Sequence, residues 1–182
     1  MIRWKDLSIN ARIALCLIYA EMMIPKIKSM IEADDDAVEY SQGRQQMESI
    51  LSLAWVFLSE KNKVDWVKIY RLSNENGYGY FDYIFELDDN NMLVHCIYYV
   101  MYCFLDRQKE ENIPSDMELF GDEEWQEKMF SIIDEEAIVF ISSEDKKKIK
   151  ILKEKLYEFY PYNENDPYGK YIGKEEVFKY II

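Results

Sequence analysis

The chain has 182 residues, 49% hydrophobic and 31% charged, and its 22 basic against 35 acidic side chains leave a net charge of −13. That length fits one domain that can bury a sizeable core without disulfide staples. The negative balance opposes direct binding to nucleic acid or anionic membrane surfaces and makes a basic partner the complementary expectation.

The three cysteines, Cys16, Cys96 and Cys103, all lie in apolar runs. An odd count without close ligand spacing argues against a disulfide framework and suits buried small hydrophobes in a reducing compartment. Arg3, Lys5 and the apolar run Ile13 to Ala20 faintly imitate a secretory signal, but Arg12 and Glu21 bracket the run and Ile18 stands where a small residue should precede a cleavage site. The expectation is a cytoplasmic protein.

Ser8 is placed to cap a first helix in which Ile9, Ile13, Cys16, Leu17, Ala20, Met23, Ile24, Ile27 and Ile31 recur at three-and-four spacing, an amphipathic pattern. Pro25 lies inside it, so the helix is expected to kink near Glu21 to Ile24 or to restart with Pro25 in its first turn. Asp34, Asp35 and Asp36 suit the entrance of a second helix running to about Leu58, with Met47, Ile50, Leu51, Ala54, Phe57 and Leu58 inward. Asp65 is placed to cap a short third helix through Trp66 and Leu72. The stretch 78–87 fits period two and a helical turn equally.

Met92 to Leu105 (MLVHCIYYVMYCFL) carries no formal charge, so it is expected to form a buried central helix, too short for a membrane span. Asp88 to Asn91 supply acceptors for its first turn. Gly121 or Asp122 begins the next helix, with Trp125, Met129, Ile132 and Ile133, and the run 137–141 (AIVFI) reads as strand or helix. Ser142 or Ser143 caps a helix from Glu144 to about Tyr160, whose apolar stripe is Ile149, Leu152, Leu156 and Phe159. Residues 161–174 read as a loop, and Glu175 to Ile182 as a last docking helix. The fold class expected over 1–182 is a mainly α, single-domain helical bundle with room for minor β content.

No constellation for catalysis, metal or cofactor stands out. His95, the only histidine, falls in the central apolar helix and reads as a core residue; the usual zinc sets and phosphate loops have no matching spacing. A carboxylate cluster of Glu21, Asp65, Asp82 and Glu86 is the enzyme alternative, and a helical adaptor or regulatory module is a third. Charge is more informative. Residues 106–145 carry a net −11, against −5 for 1–105 and +3 for 146–182. A face that steers a basic partner is weighed evenly against an acidic surface kept for solubility. The residues expected to meet such a partner are Asp122, Glu123, Glu124, Asp134, Glu135 and Glu136, with Trp125 as an aromatic anchor where exposed.

Taken in order, WKDLSINARIALCLIYAEMMIPKI, ILSLAWVFL, DWVKIYRLSNENG and LVHCIYYVMYCF, with Ala11, Ala14, Ala20, Glu21 and Pro25 in the first helix and Ala54-Trp55 in the second, resemble the sixth immunity-protein family of bacterial polymorphic toxin systems. The resemblance implies a small, mostly helical, non-catalytic cytoplasmic protein that binds and neutralises a cognate toxin domain. A basic nuclease domain would complement the acidic charge.

Overall fold

The computed structural model describes residues 2–31, 37–59, 65–66, 91–108, 113 and 117–181, with side chains except at 26–31, 37–47, 91–94 and 134–140. Six α-helices are formed there: α1 (Ile9–Ile31), α2 (Ala37–Ser59), α3 (Asn91–Gln108), α4 (Glu123–Phe140), α5 (Ser143–Phe159) and the short α6 (Lys174–Phe178). Single 3-10 turns precede α1 and α4, at Trp4–Asp6 and Glu118–Gly121. The fold is mainly α, as expected, and no strand occurs among the described residues. The aspartates at 34–36, most of the expected third helix, the stretch 78–87 and residues 88–90 lie outside the described residues.

Two helices form the interior. In α3, Cys96 to Met101 and Cys103 to Leu105 are all buried, which fits a stretch without charge. The amphipathic reading of α1 is corrected: Ile13 to Ala20 are buried without interruption, because the residues between the three-and-four positions, such as Ala14, Leu15 and Ile18, are equally apolar. The helix has neighbours to match, packing on α3, α2, α4 and α5. It also continues through Pro25 with no restart. From α2, Ile50, Leu51, Ala54, Phe57 and Leu58 enter the core as expected, and Trp66 is fully buried against Phe57 and Phe104.

Local chemistry sets the helix boundaries. The Ser8 hydroxyl accepts from the Ala11 N–H at 3.3 Å, Asp122 Oδ1 from Trp125 N–H at 2.7 Å, and Ser142 Oγ from Asp145 N–H at 3.1 Å, so each caps its helix by occupying an orphan donor. The run 137–141 resolves as helix through Phe140, with Ile141 in the bend before Ser142. Phe159 is 51% exposed and leaves the stripe formed by Ile149, Leu152 and Leu156, since it is the last residue of α5, where the chain turns away.

The expected loop is a strap. Residues 160–172 cross the entrance of α1, whose first residues are buried: Ser8 is 0% and Asn10 1% exposed. Ser8 N–H donates to Tyr160 O at 3.0 Å, Ile9 N–H to Pro167 O at 2.9 Å and Asn10 N–H to Tyr168 O at 3.2 Å. Asn10 Nδ2 donates to Gly169 O at 3.3 Å and Lys170 O at 2.9 Å, while its Oδ1 accepts from Arg107 at the end of α3. Ile172 N–H then bonds Leu58 O at 3.1 Å, fixing the strap to α2. The Arg107 guanidinium lies 4.5 Å from the Tyr168 ring centroid and 5.5 Å from that of Tyr171, a cation–π arrangement on the strap's own rings.

Two substitutions test this architecture. Ile97→Asp places an unpaired charge at a 1% exposed position in α3 and should abolish cooperative thermal unfolding by circular dichroism. Gly169 has φ 68°, and a Cβ there would stand 3.0 Å from Ser8 Cβ. Gly169→Ala should therefore cost about 1–3 kcal/mol in denaturant melts through backbone strain and pressure on the α1 cap.

Candidate functional site

The strap, the first turn of α4 and the N-terminal 3-10 turn enclose a groove of about 810 Å³. Its floor is aromatic. Trp4 stacks on Phe130 with ring centroids 3.7 Å apart, and Tyr99 meets Phe130 edge-on at 4.9 Å. Tyr102 completes the floor beside Gly121, where a Cβ would come 2.4 Å from the Tyr102 hydroxyl, so a glycine is needed for the ring to sit there. Tyr162 and Tyr168 form the strap wall.

The carboxylates of the groove come from several elements: Asp6, Asp106, Glu123, Glu124, Glu127 and, from the strap, Glu164. Some are engaged. Asp6 pairs with Arg3 at 2.8 Å and Glu127 with Lys5 at 2.7 Å, and in each case the hydrogen bond from the basic partner, first among the causes, lowers the carboxyl pKa. Asp106 accepts from the Tyr168 hydroxyl. Glu123, Glu124 and Glu164 are exposed and have no ion-pair partner among the described residues.

Arg12 is the cation of the groove wall. Its Nε donates to Leu7 O at 3.0 Å and its Nη1 to Gln126 Oε1 at 3.4 Å, while its guanidinium lies 5.7 Å from the Tyr162 ring centroid. Gln126 Nε2 in turn donates to Phe120 O at 2.5 Å, so this chain of contacts ties the start of α1 to α4 and the turn before it.

The groove's neutral acids stay protonated near pH 7. Burial pushes the Cys103 thiol up to about 12 and raises Tyr99 and Tyr168, with Asp106 adding to the effect on Tyr168. A thiolate or phenolate nucleophile is disfavoured there. The charged side chains of the groove are its carboxylates with Lys5 and Arg12, and the ring exposed beside them is that of Tyr162, an arrangement suited to holding a cation.

The expected partner-binding residues divide. Asp122 serves as the α4 cap, and Glu123 and Glu124 line the groove. Asp134, Glu135 and Glu136 occupy the later turns of α4, and their side chains lie outside the described residues. Trp125, an anchor only where exposed, is half-buried: its ring meets Phe120 at 4.5 Å and His95 at 5.7 Å, fastening the first turn of α4 to α3. Glu164 and Asn10 escaped sequence reasoning, and Asp106 entered it only as part of the acidic segment 106–145. They are brought in by long-range strap contacts that leave no local period to read.

In the enzyme alternative, Glu21 is committed elsewhere: its Oε1 accepts from Trp55 Nε1 at 2.7 Å and Lys174 Nζ at 2.6 Å. Asp65 is exposed, and Asp82 and Glu86 lie outside the described residues. Among the described residues no group of three or more metal-ligating side chains is assembled, and no helix is long and apolar enough to cross a membrane.

His95 gives a pH test. Burial lowers its pKa below the ordinary 6.5, so the folded state holds the neutral ring while the unfolded chain protonates first on acidification. Its stabilising contribution is fully present above 6.5 and is lost as pH falls toward the folded value. The melting temperature should fall across that window, and His95→Gln should remove that component of the fall in a pH series of thermal melts.

Comparison with models of known protein families, with curated proteins and with solved structures finds no match to this chain.

Proposed function

We propose that this chain is a non-catalytic, single-domain binding protein that neutralises a basic toxin domain in the cytoplasm, as its resemblance to the sixth immunity-protein family implies. The observation that carries the reading is the pairing of Glu123, Glu124 and Glu164, carboxylates with no ion-pair partner among the described residues, with an aromatic-floored groove. Carboxylates at an open rim raise the encounter rate with a basic surface and act over about 8 Å at physiological ionic strength. The exposed ring of Tyr162 on the strap wall adds contact area that charge alone does not. A positively charged toxin cleft occupied in this way would be closed to its substrate without any chemistry by the inhibitor.

Co-expression is the direct test. The C-terminal domain of a toxin encoded beside this gene should arrest growth when expressed alone and permit growth when this chain is present. The purified pair should associate at a rate that falls about tenfold or more from low to high salt. Growth arrest that persists despite co-expression of folded protein would sink the reading.

A further inference from the structure

We propose that the groove is the seat for a loop of the partner carrying arginine or lysine side chains, and that Glu164 of the strap faces Glu123 and Glu124 of α4 as the opposite cation-binding wall. This rests on the basic-partner reading above and specifies how the partner is held. Arginine and lysine combine an apolar stem with a cationic head. The groove matches both, with the exposed ring of Tyr162 on its strap wall, above a floor closed by the buried rings of Trp4, Tyr99 and Phe130, and carboxylates that have no ion-pair partner among the described residues. An anionic segment would meet like charge, and an uncharged apolar one would desolvate the carboxylates without compensation.

Size points to a segment rather than a single group. A volume of about 810 Å³ falls in the range of sites that enclose drug-sized ligands, enough for several neighbouring side chains. The protein already shows a guanidinium accommodated at this wall: Arg12 lies over Tyr162, held by the Leu7 carbonyl and Gln126. Lys5 and Glu127 pair at the mouth with side chains 50% and 58% exposed. Such an exposed pair is weak enough to exchange for a partner's cation. Since the walls belong to the strap and α4, recognition depends on both, although the strap's parent segment 146–182 carries a net positive charge.

A fluorescent hexa-arginine peptide serves as probe for the full-length protein, with anisotropy read at low and high salt. Glu123→Gln with Glu164→Gln should weaken binding by about tenfold, whereas Glu154→Gln with Glu175→Gln, equal in charge but away from the groove, should change it less than about twofold. All four side chains are exposed, and unchanged thermal melts establish that each variant folds. Equal weakening by both pairs would mean attraction to overall charge and would overturn the seat, as would no weakening by the groove pair. Spermine binding as tightly as the peptide and displacing it would assign the groove to a free polyamine and overturn the partner-loop proposal. Toxin protection fully retained by the groove variant would remove the seat and leave the immunity reading intact. Peptide binding of the expected pattern with no toxin protection would do the reverse.

Discussion

A helix whose entrance is buried must find acceptors for its first N–H groups inside the protein, because water cannot reach them. The start of α1 is such an entrance, and three carbonyls of the strap together with the Ser8 hydroxyl meet its needs. Leaving those donors unpaired would cost on the order of 1–3 kcal/mol each. The strap is therefore a structural component rather than a surface connection. Its position also decides where Tyr162, Glu164 and Tyr168 stand, so the wall of the groove is a by-product of capping a helix.

Arg107 shows how closely burial and polarity are balanced at this junction. Its guanidinium donates to Asn10 and is layered against the rings of Tyr168 and Tyr171, with Phe57 and Phe104 at 5.6 and 5.9 Å, while its Nη1 has no hydrogen-bond partner among the described residues. Burial lowers its pKa, yet an arginine remains charged at any physiological pH. The cation sits at the last turn of α3, where the helix dipole favours positive charge, and offsets part of its desolvation there and on the aromatic faces. Removing the Tyr168 ring would strip one of these supports and an Asp106 contact together.

What could be read from the sequence follows the range of the interactions involved. The caps at Ser8, Asp122 and Ser142 act over three residues and were legible, as was the burial of α3, which follows from an uncharged run. The all-round burial of α1 was harder to read, because Arg12 and Glu21 put a charge at each end of its apolar run. Both prove to have fixed partners, Arg12 on Leu7 O and Gln126, Glu21 on Trp55 and Lys174. Trp125 gave no sign of its side, since a tryptophan in the first turn of a helix serves a core or an interface equally well. Asn10, Glu164 and the strap depend on pairings across about the whole chain, and backbone carbonyls carry no residue identity from which to predict them. In the groove the acidic half, around Glu123 and Glu124, was visible as a charge cluster; the opposite wall was hidden in a segment of the other sign.

The strap's reach also bears on the order of assembly. Asn10 finds its side-chain acceptors 159 and 160 residues later in the chain. During synthesis α1 emerges well before the strap, and until the strap follows only the Ser8 hydroxyl caps its entrance. Contacts of such long sequence separation form slowly, since the chain must close a very large loop before any of them repays the lost entropy. Until then a helix with an unbroken apolar run from Ile13 to Ala20 has its polar end open and its neighbours incomplete. Such a nascent chain exposes the kind of surface that chaperones hold, and the groove takes shape only once the strap has joined α1.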